Sequence, residues 1–161
     1  MADTITRKAI EEDAAELESL EAHAWNARNS PQPEYTPPVF GKRIPFVDVI
    51  IAARDGRVVG YAALGHRTPF ESNRHIGVLR AIVVDPNCRR SGVGRRLLGE
   101  VEREAVTRGM RALRLTVMGT NQEALSLYLA AGFRELGRYP NEFRVGDTFV
   151  DDVFLGKALQ A

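Results

Sequence analysis

The sequence predicts an α/β fold: a mixed, twisted, mostly antiparallel sheet around a central parallel β-α-β unit, with helices on both faces. Apolar residues recur at helical spacing in three separate segments, and alternate or run unbroken in the segments between them. Asp55-Gly56 and Val145-Gly146-Asp147 each stand between two strand-like runs, where hairpin turns belong. From His75 to Val117 a strand, a helix and a second strand follow one another, an order that calls for a right-handed parallel crossover.

In chain order, Thr4 to Lys8 reads as a short strand. Ile10 to Trp25 reads as an amphipathic helix, because Leu17, Leu20 and Ala24 fall on one face. Pro31, Pro33, Pro37, Pro38 and Pro45 then suppress helix by removing backbone donors, so a long loop is expected there, either a connector or a functional segment. Val47 to Ala53 and Val58 to Gly65 pair as an antiparallel hairpin around Asp55-Gly56. His66 to Arg74 is polar and reads as a loop. His75 to Val84 is a strand ending in Ala81-Ile82-Val83-Val84, apolar on both faces as a central strand should be.

Asp85-Pro86-Asn87 breaks that strand, with Asp85 as an Asx-type cap. Gly92 to Arg108 is a helix whose buried stripe is Val93, Leu97, Val101 and Ala105, and Gly109 suits its C-terminal stop. Leu113 to Val117 is a strand, and Asn121 to Ala131 a helix with Asn121 at the N-cap and Gly132 past the end. Arg134 to Phe143 and Thr148 to Lys157 close the chain as a hairpin.

The totals bound the class. A chain of 161 residues is the size of one domain, taken here as residues 1–161, and 44% apolar with 27% charged residues is an ordinary globular composition. A net charge of +1 argues against nucleic acid or an anionic membrane as the partner. The single cysteine, Cys88, points to a reducing, cytoplasmic setting. With His23, His66 and His75 scattered, no metal-ligand pattern arises, and no metal is expected. Met1 to Lys8 lacks the apolar core of a signal peptide, and no run approaches the ~18 apolar residues of a membrane span.

The chemistry is concentrated where the central strand gives way to the next helix, at Arg89-Arg90-Ser91-Gly92-Val93-Gly94-Arg95-Arg96. A helix N-terminus offers unpaired N–H groups and a positive dipole end, and glycine lets a ligand approach them. Four arginines crowd this end with no acid among them. Each cation costs a helix start roughly 0.3–1 kcal/mol, so the arrangement suits a bound phosphate better than a free-standing helix. The segment lacks the Lys-Ser or Lys-Thr of a P-loop, and Leu97 occupies the third glycine position of a dinucleotide fingerprint.

Arg89-Arg90-Ser91-Gly92-Val93-Gly94 resembles the (Q/R)-x-x-G-x-(G/A) segment of the GNAT superfamily of acyl-CoA N-acyltransferases. The strand leading into it, Arg80 to Pro86, is similar to that family's strand. Asn121-x-x-Ala124-x-x-x-Tyr128-x-x-x-Gly132-Phe133 resembles its other core motif. The matches span about Leu79 to Phe133. The resemblance implies acetyl-CoA as cosubstrate, held by Arg89, Arg90, Ser91 and the backbone of Gly92, Val93, Gly94 and Arg95. It implies that main chain of Ile82, Val83 and Val84 pairs with the pantetheine arm in a cleft between splayed strands. Asn121 would contact the cosubstrate, and Tyr128 would stand near the sulfur as general acid.

Spacing supports part of this independently: Asn121, Ala124 and Tyr128 share one helical face, and a tyrosine hydroxyl, protonated at neutral pH, is a donor that a leaving thiolate can meet. An acyl-cysteine route through Cys88 lacks a neighbouring histidine. The reaction expected is direct attack of a neutral amine on the thioester in a ternary complex, with Glu71, Glu34, His75, Asp151, Asp152 or a water chain as the base. The closing hairpin, Leu136 to Asp152, looks like that of GNAT branches acting on small amines and amino-acid amines, and the family's terminal strands often pair across a homodimer. A protein N-terminal or lysine acceptor, a non-catalytic acyl-CoA sensor, and a module for another phosphorylated ligand remain alternatives.

Overall fold

The computed structural model describes residues 3–26, 30–32 and 34–160; Met1 and Pro33 of the segments read above lie outside them. Seven strands form one sheet: β1 (Thr4–Lys8), β2 (Val49–Arg54), β3 (Arg57–His66), β4 (Ile76–Val84), β5 (Ala112–Met118), β6 (Arg134–Val145) and β7 (Thr148–Ala158). Their spatial order is β1-β2-β3-β4-β5-β7-β6, antiparallel throughout except for the β4–β5 pair. Three α-helices accompany them among the described residues: α1 (Ala14–Ala24), α2 (Val93–Thr107) and α3 (Gln122–Ala130). This is the mixed α/β architecture that the periodicities predict.

Two element starts differ from the sequence reading by two residues or more. The chain enters the first helix through a 3-10 turn at Glu11–Asp13, because Asp13 accepts hydrogen bonds from the Ile10 N–H at 2.9 Å and from Arg7 at 2.7 Å. The second strand begins at Val49, since Phe46–Asp48 forms a 3-10 turn after Pro45 and Arg108 holds Asp48 at 2.7 Å.

Alternation along the strands builds one core on each face. Ile51, Tyr61 and Ala63 face α1 and meet Leu17 and Leu20. Ala52, Ala62 and Leu64 face the other way, against Leu97, Leu98 and Val101 of α2 and Tyr128 of α3. The proline-rich loop joins the α1 face. Glu18 accepts hydrogen bonds from the Val39 and Phe40 N–H groups, at 2.6 and 2.9 Å, and from the Tyr35 hydroxyl. Phe40 then stands edge-on to Tyr61, with ring centroids 4.9 Å apart. A single carboxylate thus fastens a segment that cannot make regular structure.

The feature that positions the site is the shortness of the parallel contact. β4 and β5 pair over three positions, Ile76↔Ala112 to Val78↔Arg114. Beyond them β5 stays with β7 as far as Met118↔Asp152, while β4 stays with β3 as far as Val84↔Gly60. An irregularity in the β3–β4 ladder between Ala63 and Leu64 leaves Arg80 without a register partner at the point of divergence. Such bulges bend a strand and raise its local twist.

Gly60 bears directly on this geometry. A Cβ there would sit 2.9 Å from the Val83 carbonyl oxygen and 3.1 Å from side-chain atoms of Val93 and Leu97. Gly60→Ala should lower stability by about 1–3 kcal/mol. Urea unfolding should show an earlier midpoint at unchanged slope, and an unmoved midpoint would contradict this packing.

Candidate active site

The end of β4 and the start of α2 form the first half of the site. Asp85 accepts the Asn87 N–H at 2.8 Å, which shapes the turn as an Asx cap. Arg90 and Gly92 both take left-handed backbone, with φ of 58° and 84°. Alternation of handedness of this kind turns successive N–H groups toward one point and makes anion-binding concavities. The first bond within α2 runs from the Arg96 N–H to the Gly92 carbonyl at 3.0 Å, so the amides of Val93, Gly94 and Arg95 have no helical acceptor. No acid stands in the first turn of α2. Ser91 donates to the Cys88 carbonyl at 2.6 Å and so braces the turn. Arg89 reaches Glu123 of α3 at 3.6 Å, and Gly94 lets Leu127 of α3 and Val84 of β4 come close.

The divergence of β4 and β5 opens the second half, a cavity of about 340 Å³. One wall is β4 from Leu79 to Val83; facing it are Thr116 to Met118 of β5 and Asn121, Ala124 and Tyr128 of α3. The Asp85 N–H bonds the Val59 carbonyl at 2.9 Å, which sets the phase of the β3–β4 ladder. Polar groups of an antiparallel strand alternate in direction, so Ile82 and Val84 present N–H and C=O away from β3, toward the opening. Asn121 caps α3 through its Oδ1, which accepts the Ala124 N–H at 3.2 Å. Tyr128 is buried, and burial pushes its phenol well above the ordinary tyrosine range. It therefore stays protonated at neutral pH. Cys88 is half-buried beside the turn and does not line the cavity.

The proposed bases separate sharply. Asp152 lines the cavity from β7, and burial, with Glu142 nearby, pushes its carboxyl above the usual range. Asp151 is on the opposite side of the strand, where the Asn141 N–H and Arg138 hold its carboxyl below that range. Glu71 pairs with Arg74 in an exposed turn, Glu34 and His75 are exposed, and none of these three lines the cavity. Glu21, Trp25, Arg80 and Phe143 line it without having been singled out in the sequence. For Glu21 a signal existed: it lies four residues after Leu17 and three before Ala24, on the apolar stripe of α1. Burial pushes its carboxyl up, partly offset by a hydrogen bond from Tyr61.

The family model of the acetyltransferase (GNAT) family matches residues 9–133, more than half of the chain. The chain belongs to this family. Acetyl-CoA is the cosubstrate of GNAT acetyltransferases, as the resemblance implies. Over 138 residues the chain is 35% identical to the N-alpha-acetyltransferase RimI of Mycobacterium tuberculosis, covering 83% of this chain and 80% of that one. Over 101 residues it is 31% identical to the L-amino acid N-acyltransferase MnaT of Escherichia coli, covering 63% of this chain and 56% of that one. The chain spans less than two thirds of the length of several curated relatives it matches. The fold superposes on yncA of Salmonella typhimurium, solved with its cofactor acetyl-CoA, with a TM-score of 0.87 at 20% identity over 99% of this chain and 96% of that one. Among the described residues, no helix is long and apolar enough to cross a membrane.

The turn gives a direct expectation. Gly92→Ala puts a side chain on left-handed backbone at a cost of about 1–2 kcal/mol, so the free turn relaxes out of the conformation that aims its amides at one point and binding must restore it. Calorimetry should show acetyl-CoA affinity weakened by about tenfold, a change of ~1.4 kcal/mol. Gly137→Ala, in open space at ordinary φ, should leave it unchanged. Equal affinities in the two variants would remove the turn from the binding site.

Proposed function

We propose that the chain transfers the acetyl group of acetyl-CoA to a primary amine of a small molecule or amino acid, by direct attack in a ternary complex. The observation behind this reading is the cavity at the β4–β5 divergence, which is lined by Tyr128 and Asn121 from one face of the sheet and by α1 from the other.

In this reading the pyrophosphate of acetyl-CoA lies on the amides of Gly92, Val93, Gly94 and Arg95, with Arg89, Arg90 and Ser91 around it. Charge-assisted hydrogen bonds of this kind contribute roughly 1.5–3 kcal/mol each. They also remove the unfavourable crowding of arginines at the start of α2. The pantetheine amides pair with the outward N–H and C=O groups of Ile82 and Val84, with Val83 between them, as an added strand would. Asn121 supplies its free Nδ2 donor.

The amine nitrogen attacks the thioester carbon, and the C–N bond forms as the C–S bond breaks. The electron pair of the C–S bond leaves on sulfur, and the Tyr128 hydroxyl supplies the proton that makes the free thiol. The second proton leaving nitrogen, released as the amide forms, restores the tyrosine through water. Bringing both substrates into one cleft turns a bimolecular encounter into an effectively unimolecular step and supplies much of the rate.

The relatives named above act, by their names, on L-amino acids and on an N-alpha amine. An amino-acid α-amine, free or at the end of a chain, is common to both. This supports placing free amino acids first among acceptors, with short peptides as the second class.

Thiol release from acetyl-CoA in the presence of amino acids, other small amines, aminoglycosides and peptides tests the reading. Release dependent on one acceptor class is the expected result; acetyl-CoA binding without turnover over the whole panel would instead indicate an acyl-CoA sensor. Tyr128→Phe should lower kcat by about 10²–10⁴-fold with acetyl-CoA affinity retained, and an unchanged kcat would exclude Tyr128 as the acid.

A further inference from the structure

The α1 wall of the cavity holds a carboxylate that no step above employs. Glu21 sits on the inward stripe of α1, between Leu17 and Ala24, both buried. The Tyr61 hydroxyl donates to its Oε2 at 2.5 Å. Tyr61 is fully buried on β3, and burial beside Glu21 pushes its phenol far up, so it remains a donor at any pH near neutrality.

Glu18, one turn earlier on the same helix, shows what a structural carboxylate looks like here. Its two oxygens take the Val39 and Phe40 amides and the Tyr35 hydroxyl, and it does not line the cavity. Glu21 fastens no loop in this way. Its Oε2 is held by Tyr61, and the residue borders the same cavity as Tyr128. A carboxylate steadied through one oxygen, partly desolvated and bordering a reaction cleft, has the attributes of a general base.

We propose that Glu21 takes the ammonium proton from the acceptor, with Tyr61 as the positioning residue that holds its carboxylate; the inference rests on the acetyl-transfer reading above. The protonated acceptor gives one proton to the Glu21 carboxylate and becomes the neutral nucleophile. Glu21 then returns that proton to water. The acceptor enters from the α1 side and the thiolate leaves on the α3 side, so the accepting and donating groups stand on opposite faces of the opened sheet. The other charged or titratable groups facing this region are Glu18 on α1, Tyr61 on β3, Arg80 on β4, Tyr128 on α3 and Asp152 on β7. Asp152 is the competing base. Its carboxyl is raised by burial and by Glu142, and it borders the cavity from β7, whereas Glu21 borders it from α1.

The test is the pH dependence of kcat/KM for the full chain and for Glu21→Gln, Tyr61→Phe and Asp152→Asn, with acetyl-CoA affinity and thermal unfolding measured for each. A base must be charged to accept a proton, so wild-type activity falls as pH drops through the pKa of the base. Glu21→Gln keeps an acceptor for the Tyr61 hydroxyl, and should bind acetyl-CoA normally while losing about 10²–10⁴-fold in kcat together with the acidic limb. Tyr61→Phe removes a hydrogen bond that favours the charged carboxylate, so the acidic limb should move to higher pH. A purely structural Glu21 would lower thermal stability in both variants without moving the limb. If Glu21→Gln keeps the wild-type rate and limb, or Asp152→Asn alone abolishes the limb, this inference fails while acetyl transfer stands. If the wild type binds acetyl-CoA and acetylates nothing, both fail.

Discussion

A strand edge without a neighbour leaves backbone N–H and C=O groups to find other partners, and the three-position pairing of β4 with β5 leaves such an edge on β4 at the centre of the molecule. Past Val78, β4 keeps β3 on one side and faces an opening on the other. The remaining architecture manages that opening. α3 brings Tyr128 and Asn121 to one face of it, α1 with the fastened proline-rich loop covers the other, and β5 is secured by seven paired positions with β7. A segment that completes the sheet there gains hydrogen bonds from the edge that β5 leaves, where the Val84 carbonyl meanwhile accepts the Arg89 Nε–H at 3.4 Å. A pantetheine arm, with its own amide groups, is a ligand of that type.

The same economy of position explains the start of α2. Helix termini leave N–H groups without partners, and an acid in the first turn is the usual remedy. Here the first turn has no acid, and Arg89, Arg90, Arg95 and Arg96 add positive charge. Arg89 and Arg96 meet Glu123 and Asp3 at 3.6 and 3.8 Å, but these exposed pairs contribute little. In the reading proposed above an anionic ligand balances this excess of donors and charge, approaching past the left-handed Arg90 and Gly92.

What the sequence made legible was local. The motif at Arg89 to Gly94, the face shared by Asn121, Ala124 and Tyr128, and the hairpin at Gly56 all depend on residues near one another in the chain, where periodicity and turn chemistry act. The Asx turn at Asp85 and the cap at Asn121 formed as their side chains dictate. What depended on distant pairings was not legible. Asp151 and Asp152 are neighbours of equal chemistry, and only the pairing of β7 with Met118 of β5 and Tyr139 of β6 assigns one to Arg138 and the other to the cavity. Glu21 carried one local mark, its place on the apolar stripe of α1 between Leu17 and Ala24, but what distinguishes it chemically is Tyr61, forty positions on. Glu71 and His75 sit close in sequence to the central strand, but the turn that carries them lies away from the opening.

In the reading proposed above, the outward edge of β4 is a place in the sheet that acetyl-CoA completes. Amide hydrogen exchange at Ile82 and Val84, measured with and without acetyl-CoA, tests it at those two positions. The account predicts rapid exchange in the free protein and strong protection in the complex, while Tyr61 and Val83, already paired within the β3–β4 ladder, change little. Protection at Ile82 and Val84 that is the same with and without the ligand, under conditions where acetyl-CoA is bound, would contradict it.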